Sequence, residues 1–567
     1  MRRRLIFLVC LALLPLTQLP AHAKAKTYES MVLENVFVTT RFGDKMNIDL
    51  CLPSNNGTTV APGRFPVFAE LSPYVPVGQA TCTGMFAEAV KRGYVGAHVN
   101  SPGSGESEGG PWDMGQPGYA LRHYDAIEWL GTQKWSTGKV GTIGGSGVGV
   151  SQLHTAPYRP PHLTTMIPMY STGDSYKSLK PGGMRHATEL LVCTIPGAGV
   201  TAQNGLYTGT GFPTVGSPGV PTPEQIQWMV HIKKNQVTNA QGVPYCPPLQ
   251  GSWAHPTRDG YWDQVSADLK KVTIPVWIWG AQDDLFSLGT EDDWFTVGSK
   301  DKMLSYGYAS HAGDKPGFDQ TKEALRWMDY WLKGIDTGIK RDLQTRAFRY
   351  NVFPYYIHKE AKTYPIPSTQ YTKYYLGTGA PDPTYAGSLS TAPPKTAGSS
   401  TYVYSPADGK GYNPFGAGET QDQRAEVGSR VSYLGGELSK DTEVTGPITM
   451  KLFAKTTATD TDFAVKLLDV APDGTSTMVR TNGYLKGTFR GYEGDYRTQK
   501  DIPVNEVVEY HIQFYPTSWM FKKGHKIGLA IASGDFGEIY PNPNPAVVEV
   551  EYGPKYPSAV TLPIIPQ

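Results

Sequence analysis

Charged residues are scarce in this chain, and lysine and arginine never form a long run. Charged residues make up 18% of the 567 residues, and the net charge at pH 7 is +1. A nucleic-acid-binding protein needs a basic patch that neutralises phosphates, so we expect no nucleic-acid partner. Glycine, proline and tyrosine are abundant instead. That composition favours loop-rich and β-rich structure over helical bundles.

Cysteine is also rare: the chain has five, and none stands in a Cys-x-x-Cys pair. This argues against zinc binding and dithiol redox chemistry, and because no other metal or cofactor motif is present, we expect neither metal nor cofactor. Apart from Cys10, the cysteines are even in number, which suits disulfides in an oxidising compartment. Several pairings are possible. We favour Cys51 with Cys82 and Cys193 with Cys246, because each pair closes a loop of moderate length.

The apolar run at the N-terminus, from Leu5 to about Leu16, is too short to span a membrane. It follows three arginines and precedes Ala21-His22-Ala23, whose small residues suit a signal peptidase. We therefore predict a signal peptide over residues 1–23, export to the periplasm or out of the cell, and no stable membrane anchor. A retained N-terminal anchor is the alternative.

The rest of the chain is too long for one core, and its pattern changes along its length. Residues 24–175 and 271–340 alternate strand-like and helical runs, which is typical of βαβ units and predicts an α/β core in two parts. Residues 176–270 are rich in Gly, Pro and Thr and interrupt this pattern, so we interpret them as a helical cap insertion. Residues 341–567 show short alternating strands between turns, which predicts a β-sandwich of the jelly-roll type.

A glycine-rich turn between a strand and a helix marks the candidate nucleophile. The predicted strand Lys139 to Ile143 runs directly into Gly-Gly-Ser-Gly-Val-Gly, residues 144–149, which contains Ser146. A nucleophilic serine on an α/β sheet needs such a sharp turn, and glycine tolerates its crowding and unusual dihedrals. A phosphate-binding loop would need a lysine after the last glycine, but Val150 follows here. We therefore predict Ser146 as a catalytic nucleophile.

Two later strand ends supply candidates for the acid and the base. In α/β-hydrolases the nucleophile, acid and base follow in that order along the chain. The predicted strand Ile274 to Trp279 leads to Asp283 and Asp284, and the strand ending at Tyr308 leads to His311. His311 is the predicted base. We favour Asp283 as the acid because of its distance from the glycine that follows the strand, and Asp284 is the alternative.

The oxyanion of an acyl-transfer reaction needs hydrogen-bond donors. One donor should be the backbone N–H of the residue after the nucleophile, which is Gly147 here. The second should come from the loop after an earlier strand. The predicted strand Phe65 to Leu71 leads to Ser72-Pro73-Tyr74, so the hydroxyl of Tyr74 is a candidate, with packing as the alternative role.

Together these residues resemble the cocaine-esterase and X-prolyl dipeptidyl-peptidase (CocE/NonD) family of α/β-hydrolases, which also contains α-amino-acid ester hydrolases and glutaryl acylases. Further matching segments lie in both halves of the chain: Glu128-Trp129-Leu130, residues 133–141, 103–109 and 327–334, Gly446-Pro447-Ile448, residues 460–463 and 469–474, and Gly524-His525. The resemblance implies a hydrolase core, a helical cap and a jelly roll. It also favours Tyr74 as the second oxyanion donor.

The sequence departs from the family pattern at two places. A tyrosine usually follows the nucleophile in the family, and Gly147 stands there instead, which implies a smaller wall of the substrate pocket. The usual Asp-x-Arg-Gly before the glycine turn is replaced by residues 100–103, Asn-Ser-Pro-Gly, so an arginine pairing is missing. Neither departure removes the predicted Ser146, acid and base.

The leading hypothesis is an exported serine hydrolase that cleaves ester or amide bonds of small molecules or short peptides through an acyl-enzyme. An X-Pro dipeptidyl-peptidase or an acylase is the alternative within this class. A peptidase needs a carboxylate for the substrate's amino group, and Glu189, Asp174 and Asp259 are candidates, although the last two suit capping or turn positions better. A protein that keeps the fold and only binds carbohydrate or a partner is the second class. The acyl group, the leaving group and the oligomeric state stay open.

Overall fold

A computed structural model describes residues 27–74, 82–109, 115–186, 247–311, 317–406, 430–490, 495–535 and 538–566. The predicted signal peptide and much of the predicted cap, including Glu189, lie outside these ranges. Within them, no helix has both the length and the apolar character that a membrane crossing requires.

In the described residues, the first ten strands form one sheet, in the order β1-β2-β4-β3-β5-β6-β7-β8-β9-β10. The neighbours from β4 to β9 in this order run parallel, and the pairs at both edges run antiparallel. The strands are β1 Ser30–Thr39, β2 Lys45–Ser54, β3 Phe65–Ser72, β4 Val95–Asn100, β5 Ser136–Gly145, β6 Leu163–Met169, β7 Val276–Asp283, β8 Lys302–Ser310, β9 Phe348–Val352 and β10 Ile357–Ala361.

Helices cover this sheet, so its central strands are buried on both faces. Every residue of β4, for example, is buried. The helices among the described residues are α1 Gly84–Lys91, α2 Pro117–Thr132, α3 Gly147–Thr155, α4 Ser175–Leu179, α5 Pro247–Ala254, α6 Gly260–Val265, α7 Ser287–Thr296, α8 Gln320–Lys333 and α9 Ile339–Thr345. Short 3-10 turns occur at Ala156–Tyr158, Pro181–Gly183, Leu269–Lys271 and Gly487–Phe489.

Helix α8 shows how local sequence defines these elements. The side chain of Asp319 accepts a hydrogen bond from the Lys322 N–H at its start, and Gly334 ends it with a φ of 70°. Its apolar face lies against the sheet, where the Trp327 and Trp277 rings are 5.5 Å apart. The helix therefore begins at a side-chain cap and ends at a left-handed glycine.

The α/β class predicted from the sequence is confirmed, but the core sheet extends beyond its predicted boundary at residue 340. Strands β9 and β10 add to the edge of the sheet next to β8, so the sheet ends at Ala361. The interruption predicted for residues 176–270 falls between β6 and β7. Only its two ends are described, and they carry α4, α5 and α6.

The second half of the chain forms a β-rich domain, as the sequence predicts. In the described residues its thirteen strands join one network around a large apolar core, and β16 branches to pair also with β23. The strands are β11 Gln370–Gly377, β12 Gly387–Ser390, β13 Gly398–Tyr404, β14 Arg430–Glu437, β15 Thr442–Gly446, β16 Thr449–Thr456, β17 Asp462–Val470, β18 Ser476–Lys486, β19 Val508–Phe514, β20 Thr517–Phe521, β21 Lys526–Ala532, β22 Ala546–Tyr552 and β23 Ala559–Ile565.

Polar contacts join this domain to the α/β core. The buried side chains of His186 and Glu538 meet with Nε2 and Oε2 2.9 Å apart. The amide of Gln282, on β7, donates to the hydroxyl of Thr517, and the Tyr306 hydroxyl on β8 donates to the carbonyl oxygen of Pro516 at 3.1 Å. The ends of β7 and β8 are thus fastened to the β-rich domain.

The structure describes one of the two predicted cysteine pairs. Cys51 and Cys82 have Cα atoms 6.0 Å apart and sulfur atoms at bonding distance. Cys193 and Cys246 lie outside the described residues.

Candidate active site

The turn that carries Ser146 lies between β5 and α3 and is sterically demanding. Ser146 has a φ of 55° and a ψ of −129°, a conformation that is costly for a residue with a side chain. A Cβ atom on Gly149 would lie 2.4 Å from the Ser171 hydroxyl oxygen and 3.0 Å from the carbonyl oxygen of Met169, so glycine lets the turn lie close to the end of β6. The backbone N–H of Ser146 donates to the same Met169 oxygen at 3.0 Å. This strained serine is held at the carboxyl end of a central strand.

Buried polar side chains of α3 hold the turn from behind. The Gln152 amide donates to the carbonyl oxygen of Gly144 at 3.1 Å and accepts from the Thr142 hydroxyl at 3.0 Å. The Ser151 hydroxyl donates to the carbonyl oxygen of Gly147 at 2.9 Å. Because buried polar groups cost free energy when they lack partners, these bonds stabilise one geometry of the turn.

The structure brings His311 to Ser146, as the order of the motifs predicts. His311 follows β8, and its Nε2 lies 3.0 Å from the Ser146 Oγ. Its Nδ1 lies 3.1 Å from Oδ1 of Asp284, which follows β7. The imidazole therefore bridges a hydroxyl and a carboxylate that come from two different strand ends.

In the structure His311 contacts Asp284, the alternative acid, whereas the sequence favours Asp283. Counting from Gly280 assumes that the strand ends before it, but β7 continues through Asp283 across a register shift after Gly280. The residue that leaves the strand is therefore Asp284, whose side chain is fully buried. The side chain of Asp283 lies outside the described part of the structure.

The Asp284 carboxylate is fixed by the backbone as well as by the histidine. Its Oδ1 also accepts the N–H of Phe286 at 3.0 Å, while its Oδ2 is buried without a hydrogen-bond partner. Burial lowers the pKa of His311, but the charge and hydrogen bond of Asp284 outweigh burial and leave the pKa above its ordinary value. Asp284 therefore favours a protonated imidazole, as an orienting acid should.

Tyr74 and Gly147 meet beside the nucleophile. A Cβ atom on Gly147 would lie 2.6 Å from the Tyr74 hydroxyl oxygen, so glycine leaves the space that this hydroxyl occupies. Burial raises the pKa of Tyr74, while hydrogen bonds with the Ser146 hydroxyl and the Gly147 N–H oppose that rise. The phenol thus stays protonated near neutral pH. The missing side chain at 147 faces Tyr74, so it does not simply enlarge an open pocket wall.

The second departure from the family pattern is also explained by local packing. Asn100 stands where the family has aspartate, and its amide donates to Asp49 Oδ2 at 3.3 Å within a buried polar group that also contains Asn47. A Cβ atom on Gly105 would overlap the Asn100 side chain. The backbone N–H of Ser101 donates to the carbonyl oxygen of Ser72 at 2.9 Å, which anchors the strand end that leads to Tyr74. Side-chain amides thus support this part of the site.

Sequence reasoning missed two aromatic residues that contact His311. The Tyr170 ring lies edge-on to the imidazole with centroids 5.0 Å apart, and the Phe286 ring lies 5.8 Å away. Tyr170 directly follows β6, and Phe286 follows Asp284 by two residues. The only sequence signal for either is its position just after a strand of the core.

The acidic candidates for binding an amino group have structural partners. Asp174 caps α4 by accepting the Lys177 N–H and pairs with Arg258 at 2.6 Å. Asp259 caps α6 by accepting the Tyr261 N–H. Both observations agree with the capping roles that the sequence favours. Among the residues that the structure describes, no group of three or more His, Cys, Asp or Glu side chains could hold a metal ion.

Comparisons with known proteins bear on both halves of the chain. The family described as X-Pro dipeptidyl-peptidase (S15 family) matches residues 43–313, and the X-Pro dipeptidyl-peptidase C-terminal non-catalytic domain matches residues 328–560. Cocaine esterase from Rhodococcus sp. (strain MB1 Bresler) is 27% identical over 94% of this chain and 98% of its own length.

Solved structures share the whole fold. A CocE/NonD family hydrolase from Staphylococcus aureus superposes with a TM-score of 0.73 at 20% identity, over 94% of each chain. An α-amino acid ester hydrolase superposes with a TM-score of 0.72 at 17% identity, over 97% of this chain and 99% of its own. These likenesses cover the α/β core and the β-rich domain together.

Proposed function

Because the chain belongs to the hydrolase family of cocaine esterase and the X-Pro dipeptidyl-peptidases, we propose that it cleaves carboxylic esters or amides through an acyl-enzyme on Ser146. The observation that carries this proposal is the bridge made by His311, whose two ring nitrogens lie 3.0 Å from Ser146 Oγ and 3.1 Å from Asp284 Oδ1. Such a bridge is what nucleophilic catalysis by serine requires.

The acylation step follows from these contacts. With Nδ1–H donating to Asp284, Nε2 of His311 accepts the proton of the Ser146 hydroxyl while Oγ attacks the substrate carbonyl carbon. The resulting imidazolium is stabilised by the Asp284 charge. It then gives the proton to the leaving oxygen or nitrogen as the bond from that atom to carbon breaks. A water molecule repeats the sequence in the second half-reaction, which releases the acid and restores Ser146.

Tyr74 and Gly147 are the proposed oxyanion donors. The negative charge on the carbonyl oxygen develops beside Ser146, where the Gly147 N–H and the Tyr74 hydroxyl already lie together. The Gly147 N–H donates to the Tyr74 oxygen in the structure, so an entering oxyanion would replace that contact and accept from both groups. The protonated state of the phenol near neutral pH supports its role as a donor.

Within this class we favour an esterase or acylase over a dipeptidyl-peptidase. Of the three candidate carboxylates for a substrate amino group, Asp174 and Asp259 are engaged in helix caps and ion pairs, and Glu189 lies outside the described residues. The peptidase alternative is retained because the family that matches residues 43–313 is described as X-Pro dipeptidyl-peptidase. A protein that only binds carbohydrate or a partner is the weaker alternative, and glycan binding without hydrolysis would favour it.

The finer features predicted from the sequence complete the proposal. We propose export after removal of residues 1–23, to the periplasm or out of the cell, and disulfides that suit that compartment. We also propose that residues 176–270 form a cap which selects the acyl group, and that the β-rich domain is a jelly roll. Peptide mass mapping of the secreted protein under non-reducing conditions tests both the new N-terminus and the cysteine pairs.

Activity-based labelling tests the chemistry directly. A fluorophosphonate should label Ser146, and the label should disappear in Ser146→Ala but persist in Ser390→Ala, which removes an exposed serine of β12. The same three proteins would be assayed against aryl esters and against Ala-Pro and Gly-Pro amides. Faster turnover of the esters supports the esterase assignment, and faster turnover of the amides supports the peptidase. Turnover that survives in Ser146→Ala would refute the proposed function.

A further inference from the structure

Tyr170 has a backbone conformation that its own sequence does not favour. It directly follows β6 and has a φ of 31°, in the left-handed region where residues with a Cβ atom are sterically strained. Such outliers persist where the surrounding structure imposes them, and they cluster at functional sites. Ordinary packing against the core would not by itself require this conformation.

The ring of Tyr170 occupies space that is vacated at the nucleophile turn. A Cβ atom on Gly145 would overlap the ring, with Cε2, Cζ and the hydroxyl oxygen as its nearest neighbours. Gly145 is the residue immediately before Ser146 and does not have a positive φ, so backbone conformation does not explain a glycine there. The fit of the Tyr170 ring does explain it.

The same ring contacts the imidazole on the other side of the site. The Tyr170 and His311 rings meet edge to face, with centroids 5.0 Å apart and planes at 68°. Burial, together with the negative charge of Asp284, raises the pKa of Tyr170 to about 12. The hydroxyl therefore stays uncharged at the pH at which His311 titrates. Tyr170 thus contacts the imidazole without adding a charge next to it.

We propose that Tyr170 is a positioning residue that holds the His311 imidazole between Ser146 and Asp284, and that Gly145 is required to admit its ring. This inference rests on the proposed serine-hydrolase function. The ring touches the turn before the nucleophile and the base together, so it sets the distance between the two. Phe286 contacts the imidazole less closely and cannot replace it, because its ring centroid lies 5.8 Å away.

The primary test compares Tyr170→Leu, Tyr170→Phe and the control Tyr158→Leu, which removes an exposed ring. Misplacing the base by a fraction of an ångström should lower kcat of Tyr170→Leu by about 10- to 100-fold while KM changes by less than about threefold. The acidic limb of its kcat/KM profile should move to lower pH, because His311 loses part of the Asp284 interaction that raises its pKa. Tyr170→Phe should keep kcat within about threefold, and the control should match the unsubstituted protein.

A second pair of variants tests whether the Tyr170 ring acts through its contact with residue 145. This test does not depend on how Tyr170→Leu folds. Gly145→Ala should lower kcat as strongly as Tyr170→Leu, because its methyl group displaces the ring. In a Tyr170→Gly background, where glycine accepts the positive φ, the same Gly145→Ala change should cost little further activity. Such non-additivity is the signature of two residues in contact.

The outcomes separate this inference from the function on which it rests. The proposed role of Tyr170 would be overturned if folded Tyr170→Leu kept its kcat and pH profile. It would also be overturned if the effects of Gly145→Ala and Tyr170→Gly on kcat were additive. Loss of turnover in Ser146→Ala in the same experiment would leave the proposed function intact. Turnover in Ser146→Ala would instead remove the function itself.

Discussion

Each half of the protein contains a buried aspartate in contact with a histidine. In the α/β core, Asp284 Oδ1 lies 3.1 Å from His311 Nδ1, and its Oδ2 has no hydrogen-bond partner. In the β-rich domain, Asp469 Oδ1 lies 2.7 Å from His525 Nδ1, and its Oδ2 accepts the Trp519 indole N–H at 3.0 Å. The second pair is the shorter and the better satisfied of the two.

The comparison shows that an aspartate–histidine contact does not by itself make a catalytic site. The Asp469 pair joins β17, β20 and the turn before β21, and all its contacts hold strands together. The Asp284 pair lies at two strand ends and directs Nε2 of the histidine at a strained serine. Each aspartate has two hydrogen-bond partners, so the difference between the pairs lies in what else the histidine contacts.

Replacing the core aspartate should give the largest effect. Asp284→Asn should lower kcat by about four orders of magnitude, because the amide cannot stabilise the imidazolium or select the correct tautomer. Steady-state kinetics on an aryl ester would measure it. Asp283→Asn is the matched control, since it makes the same chemical change one residue earlier. A larger loss in Asp283→Asn than in Asp284→Asn would restore the preference drawn from the sequence.

Removing the proposed oxyanion hydroxyl should give the next largest effect. Tyr74→Phe should lower kcat by about two to three orders of magnitude, which corresponds to losing one preorganised donor. KM should change little, because the interaction forms mainly in the transition state. Tyr158→Phe, at an exposed position, is the control. Nearly normal turnover in Tyr74→Phe would assign this residue to packing.

The aspartate of the β-rich domain should behave in the opposite way. Asp469→Asn should lower the free energy of unfolding by about 1 to 3 kcal/mol, because an amide cannot accept from both the indole and the imidazole. Urea denaturation would measure this loss. The kcat of the folded variant should equal that of the unsubstituted protein. A fall in kcat without a loss of stability would end the distinction between the two pairs.

The dependence on pH should give the smallest effect and report on the core pair alone. The pKa of folded His311 lies above its ordinary value, so the imidazole becomes protonated and unable to act as a base as the pH falls through that raised pKa. We expect kcat/KM to drop about tenfold per pH unit below it. The Asp469→Asn variant should show the same limb. A limb below the ordinary histidine pKa of about 6.5 would contradict the proposed role of Asp284.

Much of the fold and site could be predicted, because local patterns carry the information. The Gly-rich run around Ser146 predicts a turn that the structure contains, and strand ends predict the approach of His311. The sequence favours Asp283, whereas His311 contacts Asp284, because β7 continues through Asp283 across a register shift that the pairing with β8 decides. No periodicity in the chain reports it.

Two other features depend on tertiary structure in the same way. Strands β9 and β10 lie in a stretch without a clear period, so the sequence pattern predicts the end of the core before them. Tyr170 is ordinary in sequence, and its importance comes from a positive φ and from the glycine that faces its ring. Positions defined by what approaches them from elsewhere in the fold leave little trace in a local pattern.

The hydrogen bond between Gln282 and Thr517 limits how the α/β core can be combined with another β-rich domain. Gln282 is two residues before the carboxylate that contacts His311, so the position of that carboxylate depends on a residue of the β-rich domain. A chain that ended after Ala361 would keep every residue of the core sheet, yet it would lose this anchor and the one that Pro516 gives to Tyr306. We therefore expect that an α/β core joined to a foreign β-rich domain keeps its site only if the new domain supplies equivalent hydrogen bonds to Gln282 and Tyr306.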